Sequence, residues 1–265
     1  VIEGHSDGIM GSELNAYIST GVSSCHEATR VEEVVERLRL GMYSMIREGS
    51  VSKNLKEGIR AVTELKLNAR RAILVTDDRH PEDLLREGYM DHLVHRAIEE
   101  GVDPITAIQM VTINTAEHFK IDDLLGAIGP GRVADIVLLS DLNRVKVDTV
   151  LINGAVVVRD GVLKIEVRRV EYPRRAKETV KLHKTLTPED FRIKARIPSG
   201  RVRAHVIGVS DGFSRTRHLI EEVDVVDGEV AADPRRDIAL VAVIERHRAS
   251  GNIGRGLLKG FGLRE

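Results

Sequence analysis

Short apolar runs alternate with amphipathic stretches over residues 1–119 of the chain. Runs of β-branched and small apolar residues predict strands, whereas apolar positions three or four residues apart predict helices. The predicted strands cover residues 1–5, 21–26, 42–46 and 72–76. The predicted helices cover residues 12–18, with Ser12 as N-cap, and residues 31–40, 53–65, 81–87, 90–100 and 103–119. This alternation is typical of βα units around a parallel sheet.

The pattern changes from residue 126 onward. Up to residue 165, runs of Val and Ile are separated by turn residues, and Asn153-Gly154 and Asp160-Gly161 predict β-hairpins. Residues 166–204 are rich in Arg and Lys and contain prolines that break any long helix, so they are predicted to form a linker with short elements. Strand-like runs then return, at residues 204–209, 222–226 and 238–245.

These patterns predict an α/β fold in three segments. Residues 1–120 hold the βα units, residues 121–165 form a small β-sandwich module, and residues 166–265 contain the linker and an α+β domain. Aromatic residues make up only 3% of the chain and Trp is absent, so the core is predicted to consist mainly of Val, Ile, Leu and Ala.

The overall charge does not indicate a nucleic-acid or membrane partner. The formal net charge is -1, so no general field attracts the chain to polyanions. The basic stretch over residues 168–184 is interleaved with acidic residues and has few aromatic stacking partners, which favours a solvated linker. No apolar run approaches the roughly 20 residues that span a bilayer. The single cysteine, Cys25, fits the reducing cytoplasm, which is the expected location.

Side chains that bind metals follow three of the predicted strands. His5 ends the first, His26 ends the second, and Asp77 comes directly after residues 72–76. In a β/α barrel the carboxyl ends of the strands form the mouth at which active sites assemble. Two imidazoles and a carboxylate there suit a divalent cation that activates water. Taken singly, each histidine is explained as well by packing, and Asp77 by exposure to water, but together they predict a metal-dependent hydrolase.

Several strings in the chain are similar to one enzyme family. Four in the first half resemble the adenine deaminases of the amidohydrolase superfamily: Glu3–His5, Ser24–Thr29, Gly41–Ser50 and Thr76–Pro81. The string Gly126–Val137 is similar to a β module shared across that superfamily. Three others resemble the C-terminal domain particular to adenine deaminases: Asp233–Asp237, Glu245–His247 and Gly251–Gly254.

The resemblance implies a fold and a set of metal ligands. Residues 1–120 would be strands 5–8 of a (β/α)8 barrel, and residues 166–265 would begin the C-terminal domain. His5 and His26 are implied as metal ligands on the fifth and sixth strands. Asp77, on the eighth strand, is implied as a metal ligand and as the catalytic group that shuttles the proton.

The resemblance also suggests roles for the neighbours of these ligands. Glu27 is a candidate second catalytic proton carrier, or a partner of the ligands. Asp78 and Arg79 are candidate substrate-binding residues, although a helix cap and a surface charge explain them equally well. Cys25 stands where a polar or acidic residue is expected in relatives. The remaining histidines show no ligand spacing and are predicted to be surface or packing residues.

The activity that the resemblance implies is the metal-dependent hydrolytic deamination of adenine to hypoxanthine and ammonia, a purine salvage reaction. The ligand types suit Zn, Mn or Fe, and the resemblance favours Mn or Fe, as a binuclear centre in the complete enzyme. The expected partner is therefore a small molecule, adenine, with no nucleic acid and no membrane, and the composition permits a homo-oligomer.

Two other functions stay open. The first arises because the chain starts at the fifth strand of the implied barrel. The superfamily's first-strand His-x-His pair and fourth-strand bridging residue precede that point. We therefore expect an internal portion of a longer enzyme, or a truncated relative that is a non-catalytic binding or scaffold fragment. The other alternative is an amidohydrolase that acts on a cyclic amide or another aminated base.

Overall fold

A computed structural model describes residues 1–211 and 213–263. The chain forms two compact units, Val1–Val167 and Arg168–Glu265. The predicted segments 1–120 and 121–165 therefore lie in the same unit, and the third predicted segment contains residues 212, 264 and 265, which are outside the described residues. Among the described residues, no helix combines the length and apolar character that crossing a bilayer requires.

The first unit alternates helices and strands and then continues into strands alone. Its helices are α1 (Gly11–Ser19), α2 (Val31–Arg39), α3 (Leu55–Gly58), α4 (Arg60–Thr63), α5 (Pro81–Arg86), α6 (Met90–Glu99), α7 (Pro104–Val111) and α8 (Ile113–Phe119). Its strands are β1 (Ser24–Cys25), β2 (Tyr43–Arg47), β3 (Ala72–Val75), β4 (Ile136–Asp141), β5 (Lys146–Ile152), β6 (Ala155–Arg159) and β7 (Val162–Leu163). The predicted α/β class is confirmed.

Strands β1, β2 and β3 form a three-stranded parallel sheet in that order. Arg47 pairs with Val75, so β2 and β3 end level with each other, whereas β1 ends at Cys25, opposite Ser44 near the start of β2. The helices between them pack their aliphatic faces on the sheet, in a core that includes Val34, Ile46 and Leu74. This arrangement agrees with the predicted sector of a β/α barrel.

The strand predicted over residues 1–5 is wrong. The segment runs beside β1, but its backbone bond to this part of the chain comes from the Ser23 amide, just before β1, to the Ile2 carbonyl at 3.0 Å. Gly4 lies so close to β1 that a Cβ at this position would overlap the Val22 side chain and the Ser24 carbonyl. The segment is therefore packed against the strand without forming a ladder with it.

Two predicted helices are each divided into two. The helix over residues 53–65 is observed as α3 and α4, which separate at Ile59, where ψ is -17° and the backbone approaches a 3-10 turn. The helix over residues 103–119 is observed as α7 and α8, which separate at Thr112. The start of α7 is as expected, with the Asp103 side chain accepting a hydrogen bond from the Thr106 amide at 3.0 Å. Ser12 is not the N-cap of α1, because that position belongs to Met10.

The β module of residues 121–165 is one four-stranded antiparallel sheet in the order β4-β5-β6-β7, rather than two facing sheets. Both predicted hairpins are confirmed. Asn153 and Gly154 have φ values of 49° and 79°, the left-handed pair that a tight hairpin turn requires. Val145 belongs to the same buried core as the residues of the parallel sheet, which joins the module to the βα units.

The second unit is built on a five-stranded sheet. Its elements are α9 (Arg174–Lys177), β8 (Gly200–Ser210), β9 (Phe213–Val226), β10 (Glu229–Val230), β11 (Ile238–Ile244) and β12 (Ile253–Lys259). The strand order is β10-β9-β8-β12-β11, with β12 parallel to β8 and the other pairs antiparallel. The basic stretch before β8 is exposed, and Arg174 pairs there with Glu178 at 2.7 Å, as expected of a solvated linker.

We predict that Leu74→Ala lowers the free energy of unfolding by about 2–5 kcal/mol, because it leaves a cavity in the core beneath the parallel sheet. Leu74 is 1% exposed, whereas Leu85 on α5 is 89% exposed, so Leu85→Ala is the matched control and should change stability by less than about 0.5 kcal/mol. Urea unfolding followed by circular dichroism measures both. Equal losses for the two variants would contradict the assigned core.

Candidate functional site at the ends of the parallel strands

The carboxyl ends of β1, β2 and β3 carry the side chains of the candidate site. β1 ends at Cys25 and is followed by His26 and Glu27; β2 ends with Arg47 itself; β3 is followed by Thr76 and then Asp77. Because parallel strands present their carboxyl ends at one edge of the sheet, these residues meet there.

His5, His26 and Glu27 form a cluster in which each residue offers one ligand atom, and these atoms all lie within 4.8 Å of one another. Oε1 of Glu27 is 3.0 Å from Nε2 of His26 and 3.4 Å from Nδ1 of His5. The two imidazole rings meet edge to face, with their centroids 5.5 Å apart. The Glu27 carboxylate is buried, whereas the two histidines are more exposed. The histidine side of the cluster therefore faces solvent.

Arg47 lies between the two predicted catalytic carboxylates. Its Nη1 donates to Oε1 of Glu27 at 2.8 Å and to Oδ2 of Asp77 at 2.7 Å, and its Nη2 donates to the Asn54 side-chain oxygen at 3.3 Å. The side chain is only 3% exposed. A buried guanidinium that bridges two carboxylates forms charge-assisted hydrogen bonds to both and offsets their mutual repulsion.

Asp77 is linked to the histidine cluster through Arg47 and is not one of the three cluster residues. Its φ is 58°, a left-handed conformation that few residues other than glycine adopt and that Asp and Asn tolerate best. The backbone thereby turns sharply at the end of β3. The Asp77 side chain remains about one-third exposed, so it is accessible to a ligand as well as to Arg47.

Asp78 and Arg79, the predicted substrate-binding residues, are engaged in local contacts. The Asp78 carboxylate accepts hydrogen bonds from the Val51 amide at 2.8 Å and from the Ser52 amide at 3.4 Å, which fixes the loop after β2. Arg79 pairs with Glu87 at 2.5 Å and donates to the Gly88 carbonyl at 3.3 Å. Their roles toward a substrate stay predictions, and Asp78 does not cap α5.

Sequence reasoning missed Arg47 and Asn54. The only indication in the sequence is that a charged residue ends an apolar strand, and this also describes a residue that turns to solvent. Glu48, the next residue, is also charged, but its carboxylate accepts a hydrogen bond from the Leu55 amide at 3.2 Å, and burial raises its pKa. Its hydrogen bond thus runs to the start of α3, and only the folded backbone separates the roles of the two neighbours.

The donor set of the cluster fits a divalent cation. Two imidazole nitrogens and a carboxylate oxygen are the ligand types that first-row transition metals share in hydrolytic enzymes, and an open side of the cluster leaves room for water. These donors do not select among Zn, Mn and Fe. The structure places Glu27 beside the two histidines, and the ligand role predicted for Asp77 stays a prediction.

Comparisons with known proteins show the family to which the chain belongs. The sequence model of the amidohydrolase family matches residues 3–157, and that of the adenine deaminase C-terminal domain matches residues 214–265. The chain is 50% identical over 251 residues, 95% of its length, to the adenine deaminase of Moorella thermoacetica. It is 41% identical over 264 residues to the adenine deaminase of Staphylothermus marinus, covering 100% of this chain.

These relatives are longer than the chain, which covers 42% of the Moorella protein and 44% of the Staphylothermus protein. Among solved structures, a beta-aspartyl dipeptidase from Fervidobacterium islandicum AW-1 matches 55% of this chain and 42% of its own, with 17% identity and a TM-score of 0.44. The chain thus spans less than half the length of the curated relatives that it matches.

We predict that Glu27→Gln weakens Mn²⁺ binding, because the amide keeps the shape of the side chain but loses the negative charge beside both histidines. The affinity for Mn²⁺ should fall by at least about 10- to 100-fold, which is the effect of removing a group that hydrogen-bonds to a metal ligand. Glu32→Gln, an exposed position on α2, is the control. Equilibrium dialysis of the complete natural polypeptide measures both, and equal affinities would exclude Glu27 from the site.

Proposed function

Since the chain belongs to the amidohydrolase family, we propose that it forms part of a metal-dependent enzyme that removes the amino group of adenine by hydrolysis. The observation that carries the proposal is the cluster of His5, His26 and Glu27 at the strand ends. It occurs in a chain that is 50% identical to an adenine deaminase over nearly its whole length. The match to the adenine deaminase C-terminal domain supports this substrate over other substrates of the family.

The proposed metal ligands of this chain are His5, His26 and Glu27, with Asp77 at the opposite side of Arg47. Mn or Fe is the proposed metal, and a binuclear centre is proposed for the complete enzyme. A bound divalent cation would lower the pKa of water and make it a strong nucleophile near neutral pH. Imidazole nitrogens and a carboxylate supply the mixture of donors that such ions accept.

The proposed reaction exchanges one bond at the purine ring. Oxygen from water forms a bond to the carbon that carries the exocyclic amine, the carbon–nitrogen bond breaks, and the products are hypoxanthine and ammonia. Asp77 accepts a proton from the attacking water and returns it to the departing nitrogen, the work of a general base followed by that of a general acid. Its partial exposure at the end of β3 is consistent with access to both.

Arg47 is proposed to position the two carboxylates for this reaction. By donating from one nitrogen to Glu27 and Asp77, it fixes their separation across two neighbouring strands. The bond to Asn54 holds the other end of the guanidinium, so its plane is set by three side chains. Because these charges are already in place, less free energy is needed to reorganise them during the reaction.

We predict that Asp77→Asn abolishes turnover and leaves the fold intact. The amide cannot accept the proton at neutral pH, but Asn tolerates the left-handed backbone that Asp77 adopts. Ammonia release from adenine and the circular dichroism spectrum measure the two properties, with Asp123→Asn at an exposed position as control. Near-normal activity in Asp77→Asn would rule out the assigned proton transfer.

We also predict that Arg47→Lys lowers kcat by about 100-fold with little change in KM, because a single ammonium cannot hold both carboxylates and also donate from a second nitrogen to Asn54. Arg60 is a matched control, since it also pairs with two carboxylates, Glu57 and Glu64, but on an exposed helix surface. Arg60→Lys should leave both constants unchanged. If the two substitutions reduced kcat equally, the positioning role of Arg47 would be excluded.

The proposed function is tested by ammonia release from adenine, measured on this chain and on the complete natural polypeptide after loading with Mn²⁺ or Fe²⁺. Activity on adenine that exceeds activity on cyclic amides and other aminopurines supports the proposal. Preference for one of those compounds would replace the substrate but keep the family chemistry. No release from any of them by the complete polypeptide would favour a non-catalytic binding role.

A further inference from the structure

The segment that carries His5 is held in place by buried side chains rather than by a β-ladder. Gly4 and Ser6 are buried, and the His5 side chain between them is 70% exposed and faces Glu27. One backbone bond, from Ser23 to Ile2, ties the segment to its neighbour. The His5 amide itself donates to the Tyr17 hydroxyl at 2.9 Å, so the position of the imidazole depends on this bond and on what fixes Ser6, the residue that follows.

Arg37 of α2 provides the first fixed contact of Ser6. Its Nη2 donates to the Ser6 carbonyl and, at 3.1 Å, to the Ser6 hydroxyl, while its Nη1 donates to the Glu33 carbonyl at 2.9 Å. Arg37 and Ser6 are both 0% exposed. One guanidinium thus connects the last turn of α2 to Ser6, 31 positions away in sequence.

Cys25 provides the second contact. Its sulfur accepts hydrogen bonds from the Ser6 amide at 3.3 Å and from the Glu27 amide at 3.4 Å, and the residue is 0% exposed. A single side-chain acceptor therefore receives the backbone donors of both arms of the candidate site, the arm of His5 and the turn of His26 and Glu27. Sulfur is a weak acceptor, but two buried amides without it would be left unpaired.

The burial of Arg37 is costly, because taking a guanidinium out of water costs several kcal/mol even after relaxation. Among the described residues, its Nε is one of the few buried polar atoms without a hydrogen-bond partner. The contacts it does make are to carbonyl and hydroxyl oxygens of Glu33 and Ser6. A helix–segment contact made only for packing would be served better by an aliphatic side chain of similar volume.

We propose that Arg37 and Cys25 are positioning residues of the metal site, which together clamp Ser6 and so set the His5 imidazole against His26 and Glu27. The proposal rests on the proposed function only in that the cluster binds a divalent cation. It also explains the residue type at position 25. A side chain that can accept two amide protons is needed there, a condition that a polar or an acidic residue also meets.

The test measures Co²⁺ binding to the complete natural polypeptide by visible ligand-field absorption, which reports ligand geometry independently of catalysis. Arg37→Lys keeps the charge but cannot donate to the Ser6 carbonyl and hydroxyl and to Glu33 at once, so the Kd should rise about 10- to 100-fold. Arg39→Lys, an exposed position on the same helix, should leave the Kd unchanged.

A second pair of variants remains informative if Arg37→Lys fails to fold. Cys25→Ala removes the acceptor atom, whereas Cys25→Ser retains an acceptor on a slightly shorter bond. Cys25→Ala should raise the Co²⁺ Kd about tenfold and alter the absorption band, and Cys25→Ser should restore both toward the unsubstituted protein.

The outcomes separate this proposal from the proposed function. Absence of Co²⁺ binding in the unsubstituted protein would overturn the metal site itself. Normal Co²⁺ binding there, together with unchanged Kd and absorption in Cys25→Ala and in a folded Arg37→Lys, would overturn the clamp alone. A fall in the melting temperature without a change in Kd or absorption would show that both residues serve only the stability of the fold.

Discussion

Parallel pairing of β1, β2 and β3 brings the residues that follow these strands to one edge of the sheet, and the candidate site exists only because of that pairing. Arg47 lies opposite Val75, so its guanidinium reaches Asp77 just beyond β3 as well as Glu27 just beyond β1. A shift of one residue would turn the side chain to the other face of the sheet. The aliphatic core, which contains Ile46 and Leu74, opposes such a shift because both would lose their burial.

Two buried guanidinium groups then join parts of the chain that are distant in sequence. Arg47 fixes two carboxylates with respect to each other, and Arg37 fixes the segment of His5 with respect to α2. Neither burial is favourable by itself, since charged groups lose hydration that internal contacts recover only when the geometry is good. Both therefore act mainly on geometry, and a site with the proposed functions of holding a cation and moving a proton depends on geometry within fractions of an ångström.

The positions predicted from sequence agree with the structure for some residues and not for others. His5 and His26 are together as predicted, because both predictions used their position after an apolar run. The strand assigned to residues 1–5 was wrong, because an extended apolar segment and a paired strand have the same sequence pattern. His118 was predicted to be a surface or packing residue. It is 3% exposed, with its Nε2 2.6 Å from the Glu3 carboxylate, a contact between residues 115 positions apart.

The sequence by itself determined the βα alternation, the two hairpin turns and the types of side chain at the strand ends, since each depends on local periodicity or on the backbone preferences of one or two residues. The tertiary structure alone decided that Glu27 joins the histidines, that Arg47 separates Glu27 from Asp77, and that Arg37 and Cys25 hold Ser6. These contacts link residues from different elements, and their distances depend on strand register and helix packing. No pattern within a short window of sequence carries that information.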